Sequence, residues 1–97
     1  MRNVRFLEPA EEEMLDAAIF YESQAHNLGK GFLSIIEITL QDISKNPLRW
    51  PILDCGVRRR LINRFPYAIL YKLDNNQIII VAIMHLHRRP NYWIERL

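Results

Sequence analysis

Apolar side chains return with helical spacing from Pro9 onward. Ala10, Met14, Ala17, Ala18, Tyr21 and Ala25 stand at i, i+4, i+7, i+8, i+11 and i+15, one stripe of an amphipathic helix whose small residues permit close packing. Pro9 suits the first helical position, where its missing amide hydrogen would have been unpaired anyway. Glu11, Glu12 and Glu13 then fall in the first turns, on the side of the helix dipole that favours negative charge. The pattern predicts a helix from Pro9 to about His26, ending at Asn27-Leu28-Gly29 with Gly29 as the left-handed cap. A second stripe, Phe32, Ile36, Leu40 and Ile43, predicts a helix from about Lys30 that stops at Lys45-Asn46-Pro47. With so short a connection, the two must form an antiparallel hairpin. Its apolar stripes need a flat surface to cover.

The period then changes. Asn3 to Leu7 alternates enough for a short first strand, and Ile52 to Asp54 for a brief pairing before a turn at Cys55-Gly56. Val57 to Phe65, Tyr67 to Leu73 and Gln77 to Met84 read as strands, with Pro66 marking an edge, bulge or bend because it has no amide to donate. Asp74-Asn75-Asn76 is hairpin chemistry, since asparagine tolerates the positive φ of a tight turn. Gln77 to Met84 is apolar on both faces, which places it centrally in the sheet. The predicted fold is α+β, with an N-terminal antiparallel helical hairpin packed on a small, mostly antiparallel sheet.

Composition narrows this further. The 97 residues make one domain spanning positions 1–97. Cys55 is the only cysteine, and Met1-Arg2-Asn3-Val4-Arg5 leads into an acidic helix rather than the apolar core of a secretory signal. A reducing cytoplasm is the expected location. No membrane association is expected, because the longest apolar run, Ile78 to Met84, is far short of the roughly 20 residues of a spanning helix. The net charge of +2 conceals an asymmetry: residues 1–48 carry four Lys/Arg against eight Asp/Glu, and residues 49–97 carry nine against three. The second half therefore offers a positive field to a phosphate backbone or to an acidic protein segment.

Chemistry concentrates in two stretches of that basic half. Arg58 to Tyr71 holds four arginines, of which Arg58, Arg60 and Arg64 would share one face of a continuous strand. A run of this kind is also a common way to solvate a sheet edge. His85 and His87, two apart, face the same way, but with Cys55 alone and no nearby carboxylate pair no metal site is expected. Tyr67, Tyr71 and Trp93 read as core or rim packing, Trp50 as a plug at the end of the hairpin, and Glu11 to Glu13 as a helix start without chemistry.

The order of these pieces carries a resemblance. A helical hairpin ending in Asn46-Pro47 is followed by Arg-Arg-Arg-Leu-Ile-Asn-Arg-Phe-Pro-Tyr-Ala-Ile-Leu-Tyr, and then by an apolar strand closing on His-Leu-His-Arg-Arg-Pro-Asn-Tyr-Trp. Over nearly its whole length the chain resembles the RelE/ParE superfamily, the toxins of type II toxin-antitoxin modules, often labelled plasmid stabilisation proteins. The resemblance implies a cognate antitoxin as partner, forming a hetero-oligomer, and no cofactor. It implies one of two targets: the ribosome, where proteins similar to RelE cleave mRNA, or DNA gyrase, which proteins similar to ParE inhibit.

For RNA cleavage as an mRNA interferase, Arg60 or Arg64 would hold the charge that develops on the phosphate, a role suited to a permanently charged fork. His85 would act as base or acid, and Tyr92 with Arg88 would stack and orient the RNA. Arg58 and Arg89 would add to RNA or target binding. The expected catalytic corner is where Arg60 and Arg64 meet His85 and the tail. The usual lysine cluster or carboxylate base on the middle strands is missing, with only Asp54 and Lys72 available, and the tail Arg88 to Trp93 looks closer to the subgroup grouped with ParE. The alternatives to ribosome-dependent mRNA cleavage are therefore gyrase inhibition without catalysis, or a degenerate member kept for antitoxin binding.

Overall fold

The helical periodicity of the first half does form two helices. A computed structural model describes residues 3–97. Strand β1 (Asn3–Phe6) leads into α1 (Glu8–Gln24) and α2 (Leu28–Lys45). Strands β2 (Ile52–Asp54), β3 (Val57–Leu61), β4 (Tyr67–Asp74) and β5 (Gln77–His85) follow, and a 3-10 turn, Ile94–Arg96, ends the chain. The sheet order is β1-β5-β4-β3-β2, antiparallel except that β1 runs parallel to β5. The α+β architecture and the helical hairpin agree with the sequence reading.

Both helices start earlier than predicted. The left-handed residue between them is Asn27, at φ 66°, and Gly29 is already helical. Asn27 makes no side-chain cap. The Glu22 carboxylate caps α2 instead, accepting from the amides of Asn27 at 2.9 Å and Gly29 at 3.0 Å. The Asn27 amide is the main reason the Glu22 carboxyl is held below its ordinary range. On α2 the buried stripe is Phe32, Ile36, Thr39 and Ile43, with Leu40 only half buried. Thr39 is tolerated there because its hydroxyl donates to the Ile35 carbonyl at 2.7 Å.

The sheet has apolar residues on both faces. Ile69 and Tyr71 of β4 with Ile78, Ile80 and Ile83 of β5 pack under the helices. Val57, Ala68, Leu70, Val81 and Ala82 form a second cluster on the other face. A register shift opposite Leu70 and Tyr71 leaves an extra residue in β5, and Val81 and Ala82 both join the second cluster. Asn75 and Asn76, at φ 49° and 66°, make the two-residue turn between β4 and β5. Trp93, 1% exposed, is the largest side chain of the second face, so the C-terminal segment serves that face as a lid.

Candidate functional site

Strand β3 is shorter than the predicted Val57–Phe65. It ends at Leu61, and the chain turns through Asn63 to Pro66, with Arg64 at φ 70°. Arg58 pairs with Tyr71 and Arg60 with Ile69, so both arginines share the helix-facing side of the sheet. Arg64 has left the strand, and the single alternating face expected for Arg58, Arg60 and Arg64 does not form.

Arg58 and Arg60 brace the connector between α2 and β2. Arg58 Nη1 donates to the carbonyls of Trp50 at 2.7 Å and Leu48 at 3.2 Å. Arg60 donates to the Leu61 carbonyl and to Asp42 Oδ2, the latter at 3.3 Å, and its Cζ lies 5.0 Å from the Trp50 ring. Its Nε is buried without a hydrogen-bond partner among the described residues. The buried Tyr71 hydroxyl secures the same connector by donating to the Pro47 carbonyl at 2.6 Å. Trp50 packs against the helix-side core, as the plug reading expected.

Arg64 is exposed, with its guanidinium over the Phe65 ring at 5.4 Å and beside Gly31. Gly31 and Asp42 lie eleven residues apart on α2, which separates the surroundings of Arg64 and Arg60 by about 16 Å. The structure does not bring these two arginines to one corner. What joins Arg64 to His85 is a row of aromatic rings: Phe65 to Phe32 at 5.2 Å, Phe32 to Tyr67 at 5.2 Å and Tyr67 to His85 at 5.0 Å.

His85 ends β5 at a cavity of about 220 Å³ lined by Glu13, Asp16, Ala17, Tyr67, Ile83 and Arg88. A wider hollow of about 850 Å³, bordered by Val4, Leu40 and Asn76, lies at the opposite end of the sheet. In the His85 cavity Nδ1 accepts the His87 amide at 3.1 Å, which puts the proton of the neutral ring on Nε2. The nitrogen left available is then a donor. Arg88 and Arg89 are exposed, and the Arg88 guanidinium stacks 4.0 Å from the centre of the Tyr92 ring.

Glu13, read from the sequence as part of a helix start, is the most connected polar side chain in this region. Its Oε1 accepts the Ile83 amide at 3.1 Å and Arg96 Nη1 at 2.8 Å; its Oε2 accepts the Tyr92 hydroxyl at 2.6 Å and Arg96 Nη2 at 3.0 Å. Burial, then the hydrogen bond to Glu13, pushes the Tyr92 phenol far up from its ordinary value. Arg96 is raised by its own hydrogen bond to Glu13. No local pattern could have singled Glu13 out, because its partners lie 70 to 83 positions away.

Among the described residues no group of three or more His, Cys, Asp or Glu is placed to hold a metal ion. No helix among them is long and apolar enough to cross a membrane. A sequence model described as the ParE toxin of the type II toxin-antitoxin system parDE matches residues 4–90. No curated protein sequence matches the chain. Among the solved structures similar to it is the chromosomal ParDE toxin-antitoxin system from P. aeruginosa, at 14% identity and a TM-score of 0.65, covering 90% of this chain and 98% of that one. At that identity the likeness speaks for the fold.

Proposed function

The chain belongs to the ParE toxin family of type II toxin-antitoxin systems, and from that premise we propose that it arrests growth in the cytoplasm by binding DNA gyrase rather than by cutting mRNA. The observation that carries this reading is the commitment of the groups cleavage would need. Arg60 serves Asp42 and the connector, the Tyr92 hydroxyl serves Glu13, and His85 Nδ1 is taken up by the His87 amide. Of the candidate cations, Arg64, Arg88 and Arg89 face solvent, suited to contact and not to proton transfer. Arg88 and Arg89 in the C-terminal segment are the main target-binding residues, with Arg64 at the far end of the aromatic row.

The antitoxin that restrains such a toxin is an acidic, amphipathic segment. It lays apolar anchors along the helical hairpin and neutralises the basic half, ordering as it binds. The discriminating experiment compares supercoiling by gyrase with mRNA integrity on translating ribosomes, both in the presence of the purified chain. Inhibited supercoiling with intact mRNA is the expected result. His85→Ala should keep that inhibition, whereas Arg88→Glu combined with Arg89→Glu should weaken it by about tenfold or more, as loss of charge-assisted contacts does. Cut mRNA, abolished by His85→Ala, would instead establish the ribonuclease reading.

A further inference from the structure

We infer that Glu13 is a positioning residue for toxicity: its carboxylate fixes how the C-terminal segment presents Arg88 and Arg89. This rests on the reading that those arginines contact gyrase.

The sheet has a gap along one edge of β5. Strand β1 pairs with β5 only from Asn3 against Gln77 to Phe6 against Ile80, with one further bond from the Leu7 amide to the Ile80 carbonyl. There α1 begins, while β5 continues to His85. Beyond Ile80 that edge of β5 has no strand beside it among the described residues, and unpaired backbone groups in a half-buried place are costly. Two side chains fill the positions a strand would have taken. Glu13 Oε1 accepts the Ile83 amide, and Arg96 Nη1 donates to the Val81 carbonyl at 3.0 Å. The pair is also bidentate with itself, and both side chains are largely withdrawn from solvent, at 16% and 17% exposure.

The tail is thereby fastened at two points on one carboxylate, Tyr92 and Arg96, on either side of the buried Trp93. Burial of Trp93 alone would hold the segment at one place and leave it free to pivot. The added bonds remove that freedom. They also reach the arginines: Arg88 stacks on the ring whose hydroxyl Glu13 holds, and the turn carrying Arg88 and Arg89 is closed by Arg88 N to His85 O at 3.0 Å and Tyr92 N to Arg89 O at 3.4 Å. Glu13 therefore acts on the target surface through Tyr92. The carboxylate suits the place because its two oxygens accept from the Ile83 amide, the Tyr92 hydroxyl and both Arg96 nitrogens at once.

The test uses the full chain carrying Glu13→Ala, Glu13→Gln or Tyr92→Phe, with gyrase inhibition measured at equal concentrations of folded protein. Glu13→Ala should weaken inhibition about tenfold, the scale of a lost charged hydrogen-bond set, while circular dichroism keeps its native form. Glu13→Gln, which keeps one acceptor oxygen, should fall between it and the parent. Tyr92→Phe keeps the ring under Arg88 and folds whatever happens to Glu13→Ala; it should lose inhibition without losing the stacked cation. A spectroscopic signature accompanies the effect: one tyrosine in Glu13→Ala should ionise at lower pH than in the parent, seen as phenolate absorbance. Full inhibition by Glu13→Gln and Tyr92→Phe would overturn the inference. If the Arg88→Glu, Arg89→Glu chain also inhibits fully, the gyrase-contact reading has failed beneath it; if that chain is inactive while the Glu13 and Tyr92 variants are not, the positioning role alone has failed.

Discussion

At Gly29 there is no room for a methyl group. A Cβ added there would run into the Ala18 carbonyl oxygen and lie 3.0 Å from Glu22 Cβ, so the close approach of α1 and α2 depends on a bare Cα. Gly29→Ala should gain a little intrinsic helix propensity and lose far more to forced separation of the helices, a net destabilisation of about 1–3 kcal/mol, measured by urea unfolding of the isolated chain. The same residue shows where sequence reading stopped. A left-handed residue near positions 27–29 was legible, because Asn and Gly are the residue types that tolerate it; that Asn27 would take it was decided by Glu22 reaching across to cap α2. Gly29 answers to a tertiary contact, invisible in local pattern. Glu13 is the stronger example. It looks like an acid placed for the helix dipole, and its partners enter from the far end of the chain.

At the scale of elements, alternation and helical period placed the hairpin, the strands and the Asn75-Asn76 turn, because each is governed by neighbours within a few positions. They misjudged β3. Alternation alone predicts a strand through to Phe65, yet the chain leaves the strand after Leu61, and the three arginines that a straight strand would align end in two different surroundings. Candidate residues on a regular element were thus easier to place than those in the turn. The C-terminal segment belongs to the same scale, since Trp93 works as the lid of a whole sheet face. Trp93→Ala should cost about 3–5 kcal/mol and uncover Val57, Leu70 and Val81. Increased binding of a hydrophobic dye at native secondary-structure content would report the uncovering, and a fall in the unfolding midpoint the cost. Unchanged values in both would mean that the second face is covered without it.

Across the whole molecule the chain's four tyrosines share one electrostatic property. Tyr21, Tyr67, Tyr71 and Tyr92 all have phenols raised from the ordinary value, each first by burial; Tyr67 is raised further by Tyr21 and Glu13, and Tyr92 by its hydrogen bond to Glu13. In the unfolded chain all four would ionise near pH 10, whereas the folded chain keeps its protons to higher pH. The unfolded state then binds fewer protons than the native one, so stability falls as pH rises above about 10, by at most about 1.4 kcal/mol per pH unit for each tyrosine withheld. Below that pH the contribution is fully present, so between neutrality and pH 9 these phenols leave stability unchanged. Urea midpoints taken from pH 8 to 12 should therefore be level at first and then drop with a slope of more than one proton. Tyr92→Phe removes one titrating group from the unfolded chain, and its curve should fall less steeply above pH 10 than the parent's. Parallel curves for the two chains would show that the Tyr92 proton is not held by the fold, and would detach the Glu13 latch from the alkaline limit of stability.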